Sequence, residues 1–128
     1  MKTQNEAIKT AILESALPNV PFDGWSMETL ARAAEDAGYT PSMVLSVFPA
    51  GVKDAIRYLS YWADAKMLER LAAQKTQPAR IREKIALAVR MRLEALAPHK
   101  EAERLAIAYW ARPLRKWEGA KLVWKTAD

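Results

Sequence analysis

The stretch from Leu30 to Pro49, LARAAEDAGYTPSMVLSVFP, has the spacing of a helix-turn-helix, the arrangement that lays a second helix in the major groove of DNA. Small Ala34, Gly38 four residues on and apolar Val44 six beyond that allow two helices to cross closely. Reading bases takes Arg, Asn or Gln at the groove, and affinity rests on cations that neutralise phosphates. The outward positions of the second helix are Ser42, Leu45, Ser46 and Pro49, with Thr40 and Pro41 at its start. None of them supplies either kind of contact. Charge also lies in the other half: five bases against seven acids leave residues 1–58 at −2, and residues 59–128 carry +7 of a chain at +5. The motif is therefore expected to serve as structure and the chain to bind no nucleic acid. A transcriptional repressor of this shape would have to use cations outside the second helix, for instance Lys2, Lys9, Lys53 and Arg57.

Other reactive chemistries are scarce. There is no cysteine, which excludes thiolate metal sites, disulfides and a cysteine nucleophile. The single histidine, His99, sits beside Pro98 in a turn with no acids clustered at ligand spacing, so no metal site is expected. Neither a glycine-rich phosphate loop nor a Ser, His and Asp set occurs. The chain reads as a non-enzyme that needs no cofactor.

At 128 residues, 51% hydrophobic and 27% charged, the sequence suits one globular domain, and no run approaches the ~18 uncharged apolar residues of a membrane span. Four glycines, and prolines that fall between periodic segments, predict an all-α chain with short connections. Charges run through the apolar positions of the N-terminus, so it reads as a helix and not as a cleaved signal. Ile8, Ala11, Ile12, Ser15 and Ala16 share one face of that helix, which ends before Pro18. Asn19 to Trp25 is expected to be a loop pinned to the head by Phe22 and Trp25. Ser26 caps a helix ending at Gly38, and Thr40 with Pro41 opens the next, with Met43, Val44, Val47 and Phe48 facing inward. A long helix from about Val52 to Lys75 follows, turning inward Ala55, Ile56, Leu59, Trp62, Ala63, Met67 and Leu71. After Pro78, a helix over about Ala79 to Ala97 repeats Ile81, Ile85, Ala88, Val89 and Leu96 as its inward face. Glu101 to Ala111 makes another, carrying Leu105, Ala108 and Tyr109. A last helix beyond Pro113 holds Leu114, Trp117, Ala120, Val123 and Trp124. It reaches Asp128 without a stop signal, as though cut in mid-helix, and is expected to leave an apolar patch at Leu122, Val123 and Trp124. Residues 1–50 form the head and 51–128 a helical body, packed as one domain.

Head, long helix and aromatic-rich body together resemble the TetR fold. Within it the sequence is similar to a non-transcriptional branch, the coenzyme Q nine family of lipid-binding accessory proteins in ubiquinone biosynthesis. The resemblance is carried by ALPNVPFDGWSMETLARAAEDAGYT from Ala16 to Thr40, with its Gly24–Trp25 pair, and by FPAGVKDAI from Phe48. It continues through IREKIALAVRMRLEAL from Ile81 to Leu96, with Arg90 and Arg92, and KLVWKTAD at the end. It implies an all-α, TetR-like fold and a protein that binds ubiquinone-like or other isoprenoid lipids in its helical body. Such a protein presents them to the di-iron demethoxy-ubiquinone hydroxylase and catalyses nothing itself. The family's chain continues past the TAD with further helices that supply much of the hydroxylase surface and a membrane-seeking helix.

Lipid capture requires bulky apolar side chains, since each methylene taken from a bilayer must recover about 0.8 kcal/mol. The candidates are Leu59, Trp62, Ile85, Val89, Tyr109 and Trp124, the alternative being ordinary core at helical spacing. Arg112, Arg115, Lys116, Trp117, Lys121 and Lys125, with Arg80, Arg82 and Arg104, are candidates for a partner or anionic membrane surface. Their alternative is a solvated face paired to Glu83, Glu101 and Glu118. The implied ligand is an isoprenoid or phospholipid and a homodimer is allowed for. The implied location is the cytoplasm beside the inner membrane of a bacterium, or the matrix side in a mitochondrion.

Overall fold

The computed structural model describes residues 3–111. Among them the chain is helical throughout, with no strand. Helix α1 (Gln4–Ala16) starts where Thr3 Oγ1 accepts the Glu6 N–H at 3.1 Å, and it stops at Leu17 ahead of Pro18. The segment expected to be a loop contains one helical turn, α2 (Val20–Asp23), ended by Gly24 at φ +78°. Val20 anchors it, fully buried, whereas Phe22 is 87% exposed and pins nothing.

Helix α3 (Met27–Asp36) begins as its sequence demands: Ser26 Oγ accepts the Thr29 N–H at 3.1 Å. Its end is a Schellman turn, in which Tyr39 N–H donates to Ala34 O and Gly38 N–H to Glu35 O, with Gly38 at φ +91°. The second helix of the motif is shorter than its pattern suggests. Thr40 and Pro41 do not cap it; their carbonyls accept the N–H groups of Met43 and Val44 in a tight turn, and α4 is only Met43–Val47. Its buried Val44 and Val47, with Phe48, face the core, while Leu45 is 56% exposed.

Gly51, at φ +69°, leads into α5 (Val52–Ala72), whose first turn is held by Asp54 Oδ2 accepting the Ala50 N–H at 2.7 Å. The connection 73–80 reverses the chain into α6 (Ile81–Leu96), which runs antiparallel along α5. A 3-10 turn (Ala97–His99) then leads into a helix over residues 100–111, here α7. One apolar core runs through α1, α3, α4 and α5 and on to Leu96, Ala102 and Ala106, crossing the head–body boundary at residue 50 without a break. Ile12, Leu13 and Ala16 of α1, with Leu17 just after it, lie in this core at 0–1% exposure.

The face that α6 buries departs from expectation. Ile81, Ile85 and Val89, read from the sequence as inward, are 74%, 59% and 53% exposed. The helix carries two apolar rows, and the one that packs is Leu87, Met91 and Ala95, with Leu96. Ala95 is buried at 4% exposure, and α6 packs along α5. There Arg92 reaches across, Nε to Asp64 Oδ1 at 2.9 Å and Nη2 to Ser60 Oγ at 3.2 Å. A helix apolar on more than one side satisfies a core with either row.

Candidate functional site

The sequence candidates for lipid contact fall into separate environments. Leu59 (4% exposed) lies at a seam between α5, α6 and α7, beside Ile56 and Ala63, with Leu96, Ala106 and Trp110 opposite. The space left there is about 160 Å³, below the roughly 300 Å³ at which small-molecule sites begin. Trp62 is core: its indole N–H donates to Glu14 Oε1 at 3.1 Å and its ring meets the edge of His99 at 5.6 Å between centroids. Tyr109 is half-buried against the core with its ring 6.2 Å from that of Trp110. Ile85 and Val89 point to solvent, away from all of these. Trp124, and with it Arg112, Arg115, Lys116, Trp117, Lys121, Lys125 and the proposed terminal apolar patch, lie outside the described residues.

The exposed row is longer than the two candidates in it. Ile81, Ile85, Val89 and Leu93 (60% exposed) stand four residues apart and so lie on one strip of the α6 surface, about 18 Å long. Leu93 was not singled out from the sequence. The signal that finds it is the four-residue repeat itself, which continues through Leu93 beside the Leu87, Met91, Ala95 row.

Two further contacts escaped the sequence reading. Trp25 does not serve the head alone; its indole N–H donates to Ala102 O at 2.9 Å, tying the start of α3 to α7. The Arg57 guanidinium lies 5.3 Å from the Trp110 ring centroid and 3.4 Å from Asp54 Oδ1, a second tie between the two regions. Neither is visible in local spacing, because each joins residues more than fifty apart.

The head offers little to DNA. The exposed face of α4 carries no cation, and a helix of five residues cannot follow a groove. Of the cations in reserve, Lys9 sits over the Tyr58 ring at 5.7 Å, and Arg57 is held by Asp54 and Trp110. Both line a cleft of about 390 Å³ with Glu6, Asp54, Tyr58 and Tyr61, where acids and bases balance. Burial pushes the Tyr58 hydroxyl above the ordinary tyrosine range, against the hydrogen bond to Thr10 at 2.8 Å that pulls it down. Burial likewise lowers His99, opposed by Glu14. No group of His, Asp and Glu among the described residues could hold a metal ion. None of the described helices is long and apolar enough to cross a membrane.

No family model matches the chain, and no solved structure matches it. Among curated proteins it is similar to the ubiquinone biosynthesis protein COQ9, mitochondrial, of Drosophila melanogaster, at 34% identity over 113 residues. That match takes in 84% of this chain, which spans about a third (34%) of the length of the relative. With Trp25 packed against the continuous core and Arg92 bonded across to α5, this chain belongs to the COQ9 family.

Proposed function

We propose that this chain is a non-catalytic accessory protein of ubiquinone biosynthesis, built on a TetR-like scaffold. In this reading it binds isoprenoid or quinone-like lipid and presents it to a demethoxy-ubiquinone hydroxylase. The observation that carries this is the 34% identity to a protein named for ubiquinone biosynthesis. Two structural facts support it. The helix-turn-helix lacks the cations and the length that DNA reading requires. The body presents bulky apolar side chains to solvent along α6, where lipid tails can be contacted. The seam at Leu59 admits a lipid chain only if α7 moves outward from α5 and α6, since about 160 Å³ is too little as it stands. The site of action in this reading is the membrane periphery, on the cytoplasmic side in a bacterium or the matrix side in a mitochondrion.

Native mass spectrometry and solvent extraction of protein purified from a ubiquinone-making host test it. Isoprenoid or phospholipid is expected to co-purify in stoichiometric amounts. Lipid-free protein, together with submicromolar binding to mixed duplex DNA that falls steeply with salt, would overturn the reading in favour of a repressor.

A further inference from the structure

We infer that the cleft between the start of α1 and the first half of α5 is a binding site for a free aromatic α-amino acid, held as its zwitterion. The inference is independent of the lipid reading above. The cleft offers about 390 Å³, within the range of small-molecule sites, and joins an aromatic wall to a few convergent charged groups. That wall is braced. The Tyr58 hydroxyl donates to the Glu6 carbonyl at 3.3 Å and shares a 2.8 Å hydrogen bond with Thr10, which ties α5 to α1. The Tyr58 ring meets Phe48 edge-on at 5.9 Å and the tilted ring of Tyr61 at 5.3 Å between centroids. Tyr61, 52% exposed, and Pro49, also exposed, leave apolar surface open at the mouth.

Charge selects the ligand. Of the charged groups lining the cleft, two satisfy each other: Asp54 accepts the Ala50 N–H at 2.7 Å with one oxygen and holds Arg57 at 3.4 Å with the other. The Arg57 guanidinium also faces the Trp110 ring. Glu6 and Lys9 remain, neither of them in an ion pair among the described residues. They stand three residues apart on α1, which sets their Cβ atoms about 5–6 Å from each other. Lys9 is drawn over the Tyr58 ring at 5.7 Å, which keeps its ammonium at the cleft. One uncommitted anion beside one uncommitted cation suits a small molecule that bears both charges on neighbouring atoms, its carboxylate to Lys9 and its ammonium to Glu6. The same pair disfavours a polyanion such as a nucleotide, which Glu6 and Asp54 repel. An uncharged lipid would bury both charges without a partner. The ligand's aromatic side chain lies against Tyr61 and Pro49.

An NMR titration of the isotope-labelled whole chain with L-phenylalanine tests this. Saturable shifts are expected at the amides from Glu6 to Thr10 and from Arg57 to Tyr61. Binding is expected to be about tenfold weaker for N-acetyl-L-phenylalanine, which lacks the ammonium, and for L-phenylalaninamide, which lacks the carboxylate. L-Alanine, which lacks the ring, is expected to bind more weakly as well. Glu6→Gln is expected to weaken L-phenylalanine about tenfold and to leave N-acetyl-L-phenylalanine no weaker than before. Lys9→Met is expected to weaken L-phenylalanine to the same degree and to leave L-phenylalaninamide unchanged. The ligand series on the wild type decides the matter even where a variant folds poorly. Absence of saturable shifts, shifts confined to other surfaces, equal affinity for the three phenylalanine compounds, or variants that weaken every ligand alike would overturn the inference. Lipid extracted from Glu6→Gln is expected to match that from the wild type, so loss of lipid cargo and loss of amino-acid binding are separate results.

Discussion

Trp25 offers a direct measure of whether head and body are one unit. Its indole N–H is the only part of the side chain that bonds to α7, at 2.9 Å from the carbonyl of Ala102, a residue with no exposure. Trp25→Phe keeps a ring in place and removes that bond, worth about 1 kcal/mol net. Trp25→Ala removes the packing too; full burial of such a ring is worth ~3–5 kcal/mol, and a half-buried one about 2–3. For a domain of this size each kcal/mol moves the midpoint by about 3–4 °C. Circular-dichroism melts, with urea titrations for the free energies, are therefore expected to give small and larger downward shifts for the two variants. Each should remain a single transition, because the core from Ile12 to Ala106 is continuous. A Phe variant that melts with the wild type would refute the role of the hydrogen bond, and a two-step melt for the Ala variant would refute the single unit.

Three further outcomes are expected. Leu59→Ala, at 4% exposure, should cost about 2–5 kcal/mol, whereas Ile85→Ala, at 59%, should change stability by less than about 0.5 kcal/mol; comparable losses by urea titration would put α6 the other way round. Gly38→Ala should cost about 1–2 kcal/mol from backbone conformation alone, since φ is +91° and an added Cβ meets nothing within 4 Å; no change in melting would contradict the left-handed turn. His99 is lowered from 6.5 by burial, so the unfolded chain takes up its proton first: that contribution to stability is full above 6.5 and is lost as pH falls through the lower folded value. Urea midpoints across that range should flatten in His99→Asn, and an unchanged slope would exclude the histidine as the cause.

The sequence carried most of the helix boundaries, because caps and breakers act within a few residues. Ser26, Gly38 and Pro98 each sit where their chemistry places them. What local pattern could not supply was the partner of each face. In α6 either of two apolar rows satisfies the periodicity, and the buried one goes with the reach of Arg92 across to Asp64 and Ser60 of α5. Thr40 and Pro41 have a capping signature, yet Pro41 is used in a turn that shortens α4. Hydrophobicity alone makes Phe22 an anchor, yet it is exposed, and Val20, two residues earlier, faces the core. Of the lipid candidates, Leu59 and Trp62 were legible as apolar and inward, but a periodic pattern does not distinguish a filled seam from a cavity.

The tie from Trp25 to Ala102 also orders events in time. Contacts among α1, α3, α4 and α5 can close as soon as those segments have left the ribosome, whereas this one must wait for 77 more residues of chain. Until α7 arrives, a nascent chain presents Leu59, Ala63 and Ala106's vacant berth as an open apolar seam. The head is thus made early and finished late.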